Sequence, residues 1–165
     1  DVRDFTPISE GLTAVELVEF INRLLSPLSD TIQAELGTID KYIGDAIMTF
    51  WNAPEPVRDH ARMACRAALL CREAGLALAS TAAWRDLPRF ETRFGLHCGT
   101  ALVGHFGATD RLNYTAIGDA VSVAAASIDP ESSSSSIRNV VDPVTWSPAA
   151  IAFRRRRRAG MSSRP

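Results

Sequence analysis

The spacing of apolar residues predicts a long helix near the start of the chain. They recur on one helical face, at Ala14, Leu17, Val18, Ile21, Leu24, Leu25 and Leu28. Thr13 and Glu16 precede this face as a capping box, in which each side chain satisfies a free backbone amide of the first turn. We expect Pro27 to kink or interrupt the helix and Gly37 to end it.

A β-hairpin should follow this helix. The runs 38–43 and 46–51 are rich in β-prone residues, and Gly44-Asp45 lies between them as a turn. A second helix is then expected from Asp59, as its N-cap, towards Leu78.

The remaining pattern completes an α+β fold. The further strands are expected at 1–5, 90–98, 101–106 and 112–117, with Phe90, Phe94, Leu96 and Cys98 on one face of the second. Gly118-Asp119 should lead into a short alanine-rich helix. The resulting order is the ferredoxin-like βαββαβ arrangement, an antiparallel or mixed sheet with its helices packed on one face.

Composition fits one soluble domain followed by a tail. The 165 residues are 46% hydrophobic and 22% charged, with a net charge of −1, which gives no reason to expect nucleic-acid binding. The three cysteines suit a reducing, cytoplasmic setting. We place the domain at 1–127 and a Ser/Arg-rich, disordered or poorly packed tail at 128–165. Because residue 1 is not Met, we expect a longer natural protein.

Two acidic residues are candidate metal ligands. Asp1 lies at the end of the first predicted strand and Asp45 at the hairpin tip, so their carboxylates can converge. Mg²⁺ and Mn²⁺ prefer one or two carboxylates together with substrate phosphates. Taken alone, Asp45 is better explained as an ordinary turn residue and Asp1 as a solvated chain end, and only further context favours metal binding.

Four stretches together resemble the catalytic domain of class III adenylate/guanylate cyclases, and above all the bacterial adenylate cyclases whose catalytic domain follows a membrane-bound sensor region. They are 1–6 (DVRDFT), 37–48 (GTIDKYIGDAIM), 50–54 (FWNAP) and 110–121 (DRLNYTAIGDAV). The resemblance covers roughly residues 1–127, in the family's order and spacing. It implies ATP as substrate, cyclic AMP and pyrophosphate as products, a role in intracellular signalling, and a cytoplasmic catalytic domain in a membrane-anchored protein.

The resemblance also implies roles for individual residues. Asp1 and Asp45 would hold two Mg²⁺ or Mn²⁺ ions, which activate the ribose 3′-hydroxyl and bind the phosphates. Lys41 and Thr115 would read the purine, and a lysine donor suits N1 of adenine better than N1–H of guanine. The remaining substrate-binding positions are the backbone amides of Phe5 and Thr6, and Arg111. Metal ligands and purine-reading residues come from different subunits in this family, so a homodimer is implied.

The chain departs from the family at two catalytic positions. Ser122 and Ala126 stand where the family usually has an Asn and an Arg that stabilise the transition state. The family's later strands, with a phosphate-binding lysine, are replaced by the tail. We therefore expect impaired activity, and the alternative is a non-catalytic dimerisation or nucleotide-binding remnant of such a domain.

Three other motifs are incomplete in this sequence, namely a P-loop, a zinc site and a diguanylate cyclase hairpin. The 99–104 segment begins like a P-loop, but His105 and Phe106 follow where Lys and Ser/Thr are needed. His97, Cys98 and His105 have no fourth zinc ligand at suitable spacing. A diguanylate cyclase should carry a Gly-Gly-Asp/Glu-Glu-Phe hairpin, which the sequence at Gly44 does not match.

Overall fold

A computed structural model describes residues 1–85, 87–128 and 148–150, and these form an α+β fold. The helices are α1 (Phe5–Glu10), α2 (Ala14–Ala34), α3 (His60–Ala79) and α4 (Asp119–Ala126), with a 3-10 turn at Ala82–Trp84. The strands are β1 (Thr38–Ile43), β2 (Ala46–Phe50), β3 (Cys98–Thr100), β4 (Leu102–Ala108), β5 (Arg111–Ile117) and β6 (Pro148–Ala150). Within the described ranges the strands pair antiparallel, as β1–β2, β4–β5 and β3–β6. The predicted fold class is confirmed.

Helix α2 begins as predicted but continues through its proline. The Thr13 amide and hydroxyl donate to Glu16 Oε2 at 2.8 and 2.7 Å, which completes the capping box. The expectation that Pro27 would interrupt the helix is wrong, because α2 is continuous from residue 14 to 34. A proline inside a helix costs about 3 kcal/mol. Burying each large apolar residue, such as Phe20 or Leu24, contributes about 1.5–3 kcal/mol, and several lie on this face.

Gly37 stands just after the helix for a reason of packing. The left-handed backbone conformation at the helix end belongs to Leu36, with φ of 62°. The Gly37 amide donates to the Ile32 carbonyl at 2.9 Å, and a Cβ here would lie 2.6 Å from Ile32 Cγ2 and 2.8 Å from Trp51 Cζ2. Gly37 therefore lets the chain pass between α2 and the buried tryptophan.

The predicted hairpin forms with one irregularity, which lies beside a candidate site. Ile39 pairs with Thr49 and Lys41 with Met48, so Asp40 is an extra residue in β1. Such a β-bulge changes the direction of the neighbouring side chains and disturbs the strict alternation of the strand. At the hairpin tip Gly44 has a φ of 61°, the left-handed conformation that favours glycine.

Two predicted strands are shorter than expected. Residues 1–5 contribute only an isolated bridge between Val2 and Thr92, because α1 already starts at Phe5. The 90–98 segment is mostly irregular, and regular pairing begins at Cys98, which is exposed instead of facing the core. The apolar pattern there reflects packing, since Phe90 lies 4.8 Å from Trp84 and 6.0 Å from Phe20 between ring centroids.

The second helix starts where predicted, although its cap differs. Asp59 is the N-cap residue of α3, but its backbone is left-handed and its side chain makes no capping hydrogen bond. Helices α2 and α3 pack together, and the core between them contains Leu24, Leu28, Ala64, Ala67 and Cys71. This core supports the strands that carry the candidate site.

Most of the predicted tail lies outside the described residues, namely 129–147 and 151–165. The exception is β6, which pairs with β3 although the sequence pattern predicts no strand there. In the ranges that the structure describes, none of the helices has the length and apolar character needed to cross a bilayer.

Candidate functional site

Asp1 is buried and paired with an arginine. Its side chain is 0% exposed, and its two carboxylate oxygens lie 3.1 Å from Arg93 Nε and 3.3 Å from Arg93 Nη2. The backbones of the two residues are also bonded, since the Arg93 amide donates to the Asp1 carbonyl at 2.8 Å. Asp1 is therefore held in place on both its main chain and its side chain.

Asp45 is directed from the hairpin tip towards the chain start. It is 3% exposed, and its Oδ2 accepts a hydrogen bond from the Val2 amide at 2.8 Å. Asp1 and Asp45 line one cavity of about 50 Å³, whose other walls are mainly apolar side chains of α2, α3 and β2. The structure thus brings these two predicted residues to the same point of the fold.

The carboxylate oxygens of Asp1 and Asp45 are the type of ligand that a hard divalent cation prefers. Two carboxylates supply the oxygen ligands that Mg²⁺ and Mn²⁺ prefer, and substrate phosphates normally complete such a site. Among the described residues, no group of three or more His, Cys, Asp or Glu side chains is arranged to hold a metal. Arg93 donates to both oxygens of Asp1, so a cation bound at Asp1 would either share these oxygens with the guanidinium or displace it.

The two candidate purine-reading residues meet at a buried aspartate. Thr115 on β5 donates its hydroxyl to Asp40 Oδ2 at 2.5 Å, and the Ala116 amide donates to the same oxygen at 3.2 Å. The Lys41 ammonium lies 3.2 Å from Asp40 Oδ1. Lys41 and Thr115 are therefore close together although they belong to different strand pairs. Lys41 is partly exposed and paired with a carboxylate, so it is not simply a solvated strand lysine.

The three other candidate substrate-binding residues lie apart from this pair. Phe5 and Thr6 are the first residues of α1, where Thr6 is exposed and the Phe5 ring packs 6.4 Å from Phe20. Arg111 is exposed at the start of β5, opposite Ala108. The described contacts do not join these residues to Lys41.

Ser122 and Ala126 share one exposed face of α4. They are four residues apart, which is one helical turn, and both are exposed, whereas Ala120 and Ala124 face the core. Gly118 is the N-cap of α4 and directly follows β5, so these two positions follow Thr115 closely along the chain.

Sequence reasoning missed two residues that organise the site. Arg93 lies in an apolar-patterned segment 92 residues from Asp1, and no sequence motif connects the two residues. Asp40 is an acid within a β-prone run directly before Lys41, and that was an available signal, because a charge in a buried strand needs a partner.

Comparison with known proteins gives a consistent family. The model of the family described as "Adenylate and Guanylate cyclase catalytic domain" matches residues 1–144. The chain is 45% identical over 124 residues to Adenylate cyclase 1 of Rhizobium meliloti (strain 1021), an alignment that covers 75% of this chain and 19% of that protein. The chain therefore spans about a fifth of that relative's length.

Solved structures agree on the fold. The adenylyl cyclase CyaB from P. aeruginosa is 27% identical with a TM-score of 0.73, over 97% of this chain and 93% of that one. The guanylyl cyclase Cya2 is 24% identical with a TM-score of 0.69, over 92% and 86%, which is a likeness of fold alone. Since both substrate classes occur on this fold, the choice between ATP and GTP depends on particular side chains.

Proposed function

Because the chain belongs to the adenylate and guanylate cyclase catalytic domain family, we propose that it binds ATP for conversion to 3′,5′-cyclic AMP and pyrophosphate in intracellular signalling. The ribose 3′-oxygen attacks the α-phosphorus and loses its proton, and the bond from that phosphorus to pyrophosphate breaks. The observation that carries the choice of ATP is the contact of Lys41 and Thr115 with one buried carboxylate. Two side chains held this way can read one edge of a purine.

Adenine matches the chemistry of this pair. Its N1 accepts a hydrogen bond and its exocyclic amine donates one, whereas guanine presents the opposite pattern at the two positions. Lys41 supplies three donors and no acceptor, so it suits adenine N1. Thr115 can accept from the amine.

Asp1 and Asp45 are the residues proposed to hold the metals. Two Mg²⁺ or Mn²⁺ ions, when bound, would supply an activated 3′-hydroxyl and charge neutralisation at the phosphates. This proposal is supported by the cavity that both carboxylates line and by the Arg93 guanidinium, which fixes the Asp1 side chain there. The Phe5 and Thr6 amides are proposed to bind the triphosphate.

Turnover is proposed to be weak because of α4. Ser122 offers a single hydroxyl and Ala126 offers no charge where negative charge develops on the leaving pyrophosphate. The loss of an arginine at such a position costs roughly 10³-fold or more. Arg111, exposed at the start of β5, is proposed to contact substrate.

Metal and purine residues are proposed to serve opposite active sites of a homodimer, and complementation tests this directly. Two variants, Asp45→Ala and Lys41→Ala, are each made in a chain that also carries Ser122→Asn and Ala126→Arg. Each variant alone should be inactive with ATP and Mn²⁺. Mixing equal amounts should restore about a quarter of the parent activity, because half of the dimers are mixed and each has one intact site.

The controls separate the competing explanations. Mixing either variant with itself should restore nothing. If the Ser122→Asn, Ala126→Arg parent also makes no cyclic AMP, the remnant alternative is favoured. Strong activity in the unmodified chain would show that the catalytic positions are misplaced.

The setting of the domain is also a proposal. The relative from Rhizobium meliloti is about five times as long as the matched region, which supports a larger protein with an N-terminal sensor region and a cytoplasmic catalytic domain. The boundary proposed after residue 127 can be tested by reading the DNA around codons 122–165 in all frames. An alternative reading frame that encodes the family's later strands would support this boundary.

A further inference from the structure

The bulged aspartate next to Lys41 has a special position. The Asp40 side chain is 1% exposed, yet it carries a carboxylate, which must be compensated when it is removed from water. Successive side chains of a regular strand point to opposite faces, so Asp40 and Lys41 would normally diverge. The bulge between Ile39 and Lys41 removes this alternation, and the ammonium reaches back to Asp40.

The two oxygens of Asp40 have different partners. Oδ2 accepts from the Thr115 hydroxyl and from the Ala116 amide. Oδ1 has the Lys41 ammonium at 3.2 Å as an ion pair, and it makes no hydrogen bond among the residues that the structure describes. Each oxygen therefore fixes one member of the purine-reading pair.

The contacts with Asp40 determine which hydrogen bonds Lys41 and Thr115 can make to a purine. A carboxylate paired with an ammonium only accepts, so the single hydroxyl proton of Thr115 is donated to Asp40. What Thr115 still presents is lone pairs, which accept from the amine of adenine and repel the O6 of guanine. Lys41, held by Oδ1, presents donors to N1.

We infer that Asp40 is a positioning residue for substrate specificity, which fixes the hydrogen-bond polarity of Lys41 and Thr115 so that the site accepts adenine and rejects guanine. This inference rests on the proposed function, because it takes those two residues as the purine-reading pair.

Asp40→Asn separates the two effects. The Asn side-chain oxygen should keep accepting from the Thr115 hydroxyl and the Ala116 amide. The Asn side-chain nitrogen then faces the Lys41 ammonium, and because both groups are donors they cannot bond to each other. Lys41 loses its anchor while Thr115 keeps its polarity. We expect ATP affinity to fall about tenfold relative to GTP, the range expected for one hydrogen bond to a charged group.

Asp40→Leu should remove both effects. Without the acceptor, Thr115 can donate its proton to guanine O6, so the preference for ATP over GTP should fall about a hundredfold. Thr115→Val, which leaves Asp40 intact, should lower the same ratio about tenfold. Asp30→Asn, an exposed change of the same chemistry on α2, is the control and should leave the ratio unchanged.

The measurement is equilibrium binding of ATP and of GTP to each purified chain in Mn²⁺, with the melting temperature recorded alongside. A double variant, Asp40→Asn with Lys41→Ala, distinguishes positioning of the lysine from a purely structural role of Asp40. If Asp40 acts through the lysine, Asp40→Asn should have no further effect on the ratio in a Lys41→Ala chain.

Each outcome supports or overturns the inference. A lower ATP:GTP ratio in Asp40→Asn that disappears in Lys41→Ala supports it. Equal loss of both nucleotides, or a lower melting temperature with an unchanged ratio, overturns it while the proposed function stands, provided that Lys41→Ala and Thr115→Val do change the ratio. If those two changes leave the ratio unaltered, or the unmodified chain binds neither nucleotide, the proposed function fails and the inference fails with it.

Discussion

The contact between Gly95 and the end of α4 leaves no room for a side chain. A Cβ at residue 95 would lie 2.2 Å from the Ala124 carbonyl oxygen, 2.6 Å from Ile128 Cγ1 and 2.7 Å from Ser127 Oγ. The closest of these is a backbone atom, so no side-chain rotation can relieve the clash. Gly95→Ala must therefore push the end of α4 away from the 90–98 segment.

The loss of stability expected for Gly95→Ala can be compared with the effect of Gly75→Ala, the same substitution at a site with room for a side chain. Overpacking a well-packed site costs about 1–3 kcal/mol, and a backbone clash belongs near the upper end. Gly75 lies inside α3, and a Cβ there would find its nearest neighbour at 3.6 Å. Gly75→Ala should instead stabilise the protein by about 0.4–1 kcal/mol, because alanine has less freedom to lose on folding.

Urea denaturation of the parent and both variants measures this difference. Gly95→Ala should shift the midpoint down and Gly75→Ala should shift it slightly up, with m-values unchanged. On heating, the first change should lower the melting temperature by about 2–4 °C for each kcal/mol. A Gly95→Ala chain as stable as the parent would refute the close approach of α4, and so the placement of Ser122 and Ala126 relative to the site.

Three further predictions concern catalysis, titration and packing. Ser122→Asn with Ala126→Arg should raise cyclic AMP production from ATP and Mn²⁺ by roughly 10³-fold, and no gain would favour the non-catalytic remnant. Burial raises the pKa of the Cys71 thiol from 9.0 to about 11. The folded state thus holds that proton more tightly, and stability should decline between pH 9 and 11. Urea midpoints against pH should fall more steeply in the parent than in Cys71→Ala, where Cys98, whose pKa burial also raises, still contributes. Leu24→Ala, at 1% exposure, should cost about 2–5 kcal/mol of unfolding free energy, whereas Leu76→Ala, at 60%, should stay within about 0.5.

The sequence predicted those elements whose signals are local. The capping box at Thr13 and the hairpin turn at Gly44 each depend on neighbours within a few residues, and both are present. The predictions that failed concern segments whose structure depends on packing against residues distant in sequence. Pro27 is tolerated because the apolar face of α2 is buried, and the apolar pattern of 90–98 serves an aromatic cluster in place of a strand.

The same distinction holds at the candidate site. The acids and the lysine were identifiable because they lie in recognisable motifs. The structure has Asp1 and Asp45 line one cavity, and it joins Lys41 and Thr115 through Asp40. Their supporting residues were not identifiable, since Arg93 and Asp40 act across 92 and 75 positions of sequence. Spacing along the chain contains no information about such pairs until the strands have been placed.

In the proposed site, binding and turnover depend on different parts of the structure. Lys41 and Thr115 are held by a buried carboxylate and an intervening bulge, so changes there should disturb local packing as well as the reading of the purine. Ser122 and Ala126 are exposed on α4, and the fold places few demands on them. Substitution at these two positions can therefore remove transition-state stabilisation without loosening the purine pair. A chain of this kind is expected to retain ATP as a ligand after it has lost most of its ability to cyclise it.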